Sequence, residues 1–153
     1  MFVSSQAKGV WCTGTTGVVA AALPGGMTLH SFAGLGIGTM DAYSLARQAG
    51  SGSSKQRWEQ CKVLVIDEVG MMDGHFFTKL EHVARIVRNS RAPFGGIQLI
   101  LVGDLYQLPP VAAKSWVFES EAWTKCIDCM HAIPSPDTMS EMSSTMIACR
   151  LEA

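Results

Sequence analysis

Two continuous apolar runs with a helix-like segment between them constrain the fold of this chain more than any other feature. The runs are KVLVIDE (62–68) and IQLILV (97–102), and such runs are typical of strands buried on both faces of a parallel sheet. Behind Asp73, which suits a helix N-cap, apolar residues recur at helical spacing: Phe76, Leu80, Val83, Ala84 and Val87. Strand, helix and strand in this order predict a βαβ unit.

The remaining segments predict a single α/β domain over residues 1–128, followed by a tail. We expect, in chain order, a buried strand (9–13), a short helix (18–23), a strand fragment entering a glycine-rich loop (27–38), a helix (40–49) and a flexible break (50–54). Residues 129–153 lack aromatic side chains and a convincing period. They predict a poorly ordered tail, or a lone weak helix near its end.

Composition excludes several classes of function. The formal net charge is −1 and the pI is about 6.4, which argues against a domain that holds nucleic acid by bulk positive charge. No apolar run approaches the roughly 20 residues of a membrane helix and no secretory signal is evident, so we expect no membrane contact and an intracellular protein. The five cysteines are too irregular for a disulfide framework, and Cys126-x-x-Cys129 lacks the further ligands of a zinc site.

Two adjacent acids, Asp67 and Glu68, end the first apolar run. Ionised groups beside a core are costly unless something pairs with them, and a bound cation is such a partner. Asp67 could hold Mg²⁺ directly or through water, while Glu68 orients or deprotonates an attacking water. The alternative is that acids occur here because they suit turns and helix N-termini.

The second apolar run is also followed by polar residues, Gly103-Asp104 and then Gln107. Loops after neighbouring parallel strands converge on one sheet edge, where ligands bind in open α/β folds. Gln107 could therefore reach a terminal phosphate beside the ion, since an amide donates to phosphate oxygen and accepts from water. Its alternative role is to brace the proline-rich loop around Pro109-Pro110.

Three ordered motifs resemble those of the Pif DNA helicases, superfamily-one motors related to RecD. VLVIDEVGMM resembles their Walker B segment, and GGIQLILVGDLYQLPPV resembles the phosphate-sensing segment that follows it. VWCTGTTGVVAAALPGGMTLHSFAGLGIG resembles the family's segment that contacts single-stranded DNA. The resemblance covers about Val10 to Asp128.

The resemblance implies a partial RecA-like (P-loop NTPase) parallel sheet flanked by helices, in a helicase that uses ATP and Mg²⁺ to move 5′ to 3′ along single-stranded DNA. Its partners would include duplex junctions, and its roles DNA repair, recombination and telomere maintenance, in the nucleus or mitochondrion of a eukaryote. By family, Asp67 would hold Mg²⁺, Glu68 would activate water and Gln107 would sense the γ-phosphate. DNA contacts would fall to Thr13, His30, Ser31 and Phe32, of which His30 and Phe32 could instead only pack under the glycine-rich loop.

The pattern departs from the family at the phosphate loop. A Walker A motif needs lysine immediately before Ser or Thr, and the sequence has only Lys114-Ser115, with Ala113 where glycine is required. We therefore expect a fragment in which the first strand and the phosphate loop are missing, inactive in ATP hydrolysis by itself. Two alternatives stay open: a catalytically inactive remnant that binds single-stranded DNA or a protein, and a different phosphohydrolase on the same sheet. The sequence does not indicate the oligomeric state.

Overall fold

The computed structural model describes residues 9–36, 39–104 and 115–127, and the backbone of residues 145–149. Five strands and six α-helices lie in these ranges, joined by short 3₁₀ turns. The strands are β1 (Val10–Gly14), β2 (Met27–Thr28), β3 (Val63–Asp67), β4 (Gln98–Gly103) and β5 (Thr145–Cys149). The helices are α1 (Gly17–Ala22), α2 (Leu29–Ala33), α3 (Ala42–Ala49), α4 (Gly52–Gln60), α5 (Gly74–Val87) and α6 (Glu121–Ile127).

The strands form one sheet in the order β2-β1-β3-β4-β5. The first four are parallel, with Gly14 paired to Asp67 across β1 and β3, and Ile66 paired to Leu101 across β3 and β4. The predicted α/β class and the predicted β3-α5-β4 unit are therefore confirmed. Burial alternates along β3, where Leu64 is fully buried and Val65 only partly. The two faces of the strand are therefore covered unequally, which differs from the predicted burial on both faces.

Helix α5 begins as its sequence predicts. Asp73 is the N-cap, and its Oδ1 accepts hydrogen bonds from the backbone N–H groups of His75 (2.9 Å) and Phe76 (3.1 Å). The buried stripe of the helix contains Phe77, Leu80, Val83 and Ala84. Phe76, expected on this stripe, lies at its margin and is only partly buried. The stripe packs α5 onto the sheet. This packing stabilises the helix, since a helix of this length is only marginally stable without it.

Two segments between β1 and β3 differ from their prediction. Residues 50–54, expected as a flexible break, include the start of α4. Ser54 is buried there, and its hydroxyl donates to the carbonyls of Ala49 (3.0 Å) and Ser51 (2.8 Å). Residues 29–33, expected in a strand and loop, form α2, which Thr28 caps at its start. Gly34 ends that helix with φ of 70°, a conformation that glycine adopts without a Cβ clash.

The end of the chain also differs from its prediction. The backbone of Thr145–Cys149 pairs antiparallel with β4 from Leu99 to Gly103, so a strand replaces the weak helix expected near the end. An open edge of β4 offers unpaired backbone groups to any segment that can be extended. The other residues after 127 lie outside the described ranges, and the domain boundary at residue 128 stays a prediction.

One arginine joins the sheet to the helices at the edge where β3 begins. Arg88 follows α5, and its Nε donates to the carbonyl of Gly95 at 2.8 Å. Its Nη1 donates to the carbonyl of Cys61 at 3.0 Å and also to that of Trp58. The guanidinium thus ties the end of α4, the end of α5 and the turn before β4 together.

Replacing Arg88 with alanine should lower the free energy of unfolding by about 3 kcal/mol. The change leaves partly buried carbonyls without donors, each at about 1–3 kcal/mol. Urea denaturation followed by circular dichroism measures the loss. Arg47→Ala is the matched control, since Arg47 is exposed on α3 and should change stability by less than about 0.5 kcal/mol. Equal losses for the two variants would contradict this role of Arg88.

Candidate functional site

The carboxyl ends of β1, β3 and β4 meet at one edge of the sheet and bring three separate segments together. The loop after β1 contacts both acids: the backbone N–H of Thr15 donates to the carbonyl of Asp67, and its hydroxyl donates to the carbonyl of Glu68, each at 3.3 Å. Asp104 lies one residue beyond β4 on the same edge. This is the edge where open α/β sheets bind their ligands.

Two glycines allow this close packing. A Cβ at Gly14 would lie 2.6 Å from the backbone nitrogen of Ala20, and a Cβ at Gly103 would lie 2.9 Å from that of Val69. The first α1 turn therefore sits against the end of β1, and the 3₁₀ turn after Glu68 sits against the end of β4. A side chain at either glycine would push a loop away from the acids.

The acid pair has an unusual local geometry. Glu68 adopts a left-handed backbone conformation, with φ of 56° and ψ of 44°, which costs a non-glycine residue about 1–3 kcal/mol. The Oδ1 atom of Asp67 accepts a hydrogen bond from the backbone N–H of Glu68 at 2.9 Å. Both side chains are partly exposed, so their carboxylates can reach a ligand at the edge. Strain of this kind persists where the surroundings hold a functional side chain in place.

The donor set fits Mg²⁺ shared with a substrate and does not fit a metal site made by the protein alone. No group of three or more His, Cys, Asp or Glu side chains that could hold a metal occurs in the described ranges. Mg²⁺ is usually bound by one or two carboxylates together with waters and substrate phosphates, and Asp67 can supply such a carboxylate. Cys61 is buried in the core, and this burial raises the pKa of its thiol to about 12. Cys129, of the Cys126-x-x-Cys129 pair, lies outside the described ranges.

Gln107 lies outside the described residues. Its predicted position beside Asp67, and with it the predicted sensing of the γ-phosphate, therefore stays a prediction. The described chain reaches Asp104, three positions earlier, at the same edge.

Two of the four predicted DNA contacts are buried. Thr13 has no exposed surface, and its hydroxyl donates to the carbonyl of Val65 at 2.7 Å. Phe32 is also fully buried, with its ring centroid 5.5 Å from Trp11 and 5.0 Å from Trp58. A buried ring has no face for a base, so the packing role that we kept as the alternative is favoured for Phe32. The same placement removes Thr13 from direct contact with a ligand.

The other two predicted contacts are reachable from solvent. Ser31 is exposed, and its Oγ accepts a hydrogen bond from the hydroxyl of Thr28 at 2.8 Å. His30 is partly buried and stacks on Phe76, with ring centroids 4.5 Å apart and planes 11° apart. Burial lowers the pKa of His30, so its imidazole is neutral at neutral pH. These residues offer a hydroxyl and a neutral ring to a ligand, without a full positive charge.

Comparison with known proteins agrees with this architecture. The sequence profile of the PIF1-like helicases matches residues 1–132. The chain belongs to the PIF1-like helicase family. It is 47% identical over 124 residues to the ATP-dependent DNA helicase PIF1 of Xenopus laevis, an alignment that covers 78% of this chain and 19% of the relative. The chain thus spans about a fifth of the length of that relative.

Solved structures of the family share the fold. The crystal structure of Pif1 helicase from Candida albicans has a TM-score of 0.72 and 46% identity, covering 77% of this chain and 27% of that one. A Pif1 helicase from Bacteroides in complex with ADP-AlF3 and ssDNA has a TM-score of 0.61 and 30% identity, covering 74% and 29%. The sheet and its helices therefore correspond to part of the family's RecA-like domain. Within the described residues, no helix is long and apolar enough to cross a membrane.

Sequence reasoning missed the residues that hold α2. Arg57 of α4 donates from Nε to the carbonyl of Phe32 (2.8 Å) and from Nη2 to that of Ser31 (2.7 Å). The neighbouring Trp58 donates from Nε1 to the carbonyl of Ala33 at 3.1 Å. Helix ends leave their last carbonyls without intrahelical partners, so α4 supplies donors to α2. The signal in the sequence is the charged segment KQRWEQ (55–60). It is the main part of α4, which begins inside the predicted break at 50–54.

Replacing Phe32 with alanine should lower the free energy of unfolding by about 3–5 kcal/mol, the usual cost of truncating a buried phenylalanine. Thermal and urea unfolding of the purified chain measure this loss. The adjacent, exposed Ser31→Ala is the matched control and should stay within about 0.5 kcal/mol. A Phe32→Ala chain that keeps its stability and loses only affinity for DNA would instead support a direct contact between Phe32 and DNA.

Proposed function

We propose that this chain supplies the acid half of an ATP site and part of the single-stranded DNA path in a 5′ to 3′ DNA helicase motor. The observation that carries the proposal is the double contact of Thr15 with Asp67 and Glu68. Thr15 belongs to the loop that leads from β1 into α1, and β2 and α2 follow α1 along the chain. The loop therefore contacts the backbone of both acids. Further along the chain, α2 carries the exposed Ser31 and the partly exposed His30.

In this proposal the acids act on a nucleotide bound at the sheet edge. Asp67 would hold Mg²⁺ directly or through a water, and a bound ion would supply positive charge to the nucleotide phosphates. Glu68 accepts a hydrogen bond or a proton from the attacking water, with its carboxylate set by the left-handed backbone. Gln107 senses the γ-phosphate as an amide donor. Family membership and the strand-end position of both acids support these roles.

The DNA path is proposed on the exposed side of α2. The Ser31 hydroxyl meets a phosphate, and the neutral His30 ring meets a sugar or base. Phe32 and Thr13 act behind them as packing residues that fix α2 and β1. Since the net charge of the chain is −1, binding here depends on local contacts and on the rest of the helicase. The related Bacteroides Pif1 helicase solved with ADP-AlF3 and ssDNA supports a shared nucleotide and DNA function.

The biological setting follows from the family. We propose that the helicase acts at duplex junctions in DNA repair, recombination and telomere maintenance, in the nucleus or mitochondrion of a eukaryote. The support is the family membership and the name that the relatives carry, ATP-dependent DNA helicase.

A second candidate function concerns the 153 residues by themselves. They contain no Walker A motif, and this motif supplies the backbone amides and the lysine that neutralise a triphosphate. Acids at the edge would repel a nucleotide without them. A module that binds single-stranded DNA without hydrolysing ATP is therefore the alternative.

The motor proposal is tested in a chimera in which this chain replaces its aligned segment of the Xenopus laevis relative. Glu68→Gln should lower DNA-stimulated ATP hydrolysis by about 100-fold or more, since a general base contributes about 10²–10⁴. Release of inorganic phosphate measures the rate. Glu59→Gln is the matched control, because Glu59 lies on the exposed side of α4, 3.8 Å from Lys55, and should leave the rate unchanged. An active Glu68→Gln chimera would overturn the proposed role.

The 153-residue chain alone should show no DNA-stimulated ATP hydrolysis. The measurement is phosphate release with Mg²⁺ and ATP, with and without oligothymidylate, next to the active chimera as a positive control. Turnover that disappears in the Glu68→Gln chain would show that the edge works without the missing motif and would contradict this expectation.

A further inference from the structure

A groove lies between the start of α3 and the end of α5, away from every residue assigned above. Its volume is about 650 Å³. Two arginines, a histidine, a tyrosine, an asparagine and an isoleucine contribute to its walls: Arg85, Arg91, His82, Tyr43, Asn89 and Ile86. Among the described residues, none that lines the groove is acidic.

The groove is at the opposite edge of the sheet from the acid pair. Helix α5 begins after the turn that leaves β3 and has 14 residues, so its axis is about 21 Å long. At its far end Arg88 bonds to the carbonyls of Trp58 and Cys61, which precede the first residue of β3. A ligand in the groove would therefore not reach the edge that carries Asp67 and Glu68.

A buried carboxylate holds one arginine at the groove wall. The Glu81 side chain is 1% exposed, and its Oε1 lies 3.7 Å from Nη1 of Arg85. Its Oε2 lies 3.6 Å from Nε2 of His82, and neither oxygen accepts a hydrogen bond within the described structure. Separations this long are beyond normal hydrogen bonds, so Glu81 orients Arg85 by charge. The N–H groups of Arg85 remain available to a ligand.

The second arginine, Arg91, is free of ion pairs and hydrogen bonds within the described part of the chain. It is also exposed. The last carbonyls of α5 do not repel an anion strongly, since those of Arg85 and Ile86 accept from the N–H groups of Ser90 and Asn89. With Glu81 offset by Arg85, the wall of the groove keeps a net positive charge from Arg91.

Flat apolar surface lies beside these cations. The Tyr43 side chain is 67% exposed and Ile86 is 46% exposed. Guanidinium groups bind phosphate through parallel N–H donors, and an open aromatic ring stacks on any base. An acidic peptide could also pair with the arginines, but it would leave the ring of Tyr43 without the planar partner that a base provides.

We propose that this groove is a second binding site for single-stranded nucleic acid, with one phosphodiester at Arg85, a neighbouring one at Arg91 and a base on Tyr43. The site is independent of ATP and of the path along α2. It gives the domain one nucleic-acid contact at each end of α5.

The test is the salt dependence of binding of a fluorescent twelve-nucleotide oligothymidylate to the full chain, measured by anisotropy. Each phosphate contact on a single strand contributes about 0.7 to the slope of log K against log salt. The Arg85→Ala/Arg91→Ala chain should therefore have a slope smaller by about 1.4, and Arg91→Ala alone by about 0.7. Tyr43→Ala should weaken binding by about tenfold, from the loss of base stacking. Lys125→Ala, at an exposed lysine 3.7 Å from Glu121 on α6, is the matched control.

Ser31→Asp separates this site from the path on α2. If only Ser31→Asp weakens binding, the groove proposal is overturned while the proposed function stands; if only the groove variants do, the groove proposal stands alone. Absence of any binding by the unmodified chain overturns the groove proposal, and the ATPase of the chimera then still tests the motor. A dodecamer of glutamate that binds with the same arginine dependence, while oligothymidylate does not, would assign the groove to an acidic peptide instead. Circular dichroism tests whether each variant is folded. If the double variant does not fold, the Arg91→Ala chain, changed at an exposed residue, still tests the proposal.

Discussion

The parallel pairing of β1 with β3 is the constraint on which the rest of the site depends. Its register sets Gly14 opposite Asp67, so the next residue, Thr15, can bond to the carbonyls of both acids. A shift of one residue would turn the side chains of one strand to the other face of the sheet and separate the loop from the acids. The close approach at Gly14 and Gly103 then leaves no room for a side chain between these strand ends and the turns packed on them.

The segment that carries Ser31 and His30 is anchored in the core from below. Phe32 packs between two tryptophans, and Arg57 and Trp58 bond to the last carbonyls of α2. A helix of five residues has little stability of its own, so these contacts decide its position. Ser31 and His30 are thus held on a rigid base, as the proposed contact with DNA needs.

The two ends of α5 have different electrostatic character. Its start follows Asp67 and Glu68, whereas Arg85 lies in its last turn and Arg88 and Arg91 follow its end. Arg88 donates its hydrogen bonds to the backbone carbonyls of Gly95 and Cys61, while Arg85 and Arg91 line the groove. In the proposed arrangement, a low net charge for the whole chain coexists with a local cationic surface, because Asp67 and Glu68 precede the start of α5 whereas Arg85 and Arg91 lie at its other end.

The sequence alone determined the β3-α5-β4 unit, the Asp73 cap, the strand-end position of Asp67 and Glu68, and the family. These features depend on contacts between residues a few positions apart, or on motifs that are contiguous along the chain. Only the tertiary structure decided that Thr13 and Phe32 are buried, that α4 holds α2 through Arg57, and that Tyr43 and Arg85 share a groove. Such contacts join residues distant in the chain, 25 positions apart for Arg57 and Phe32, and no local periodicity specifies which distant segments will meet.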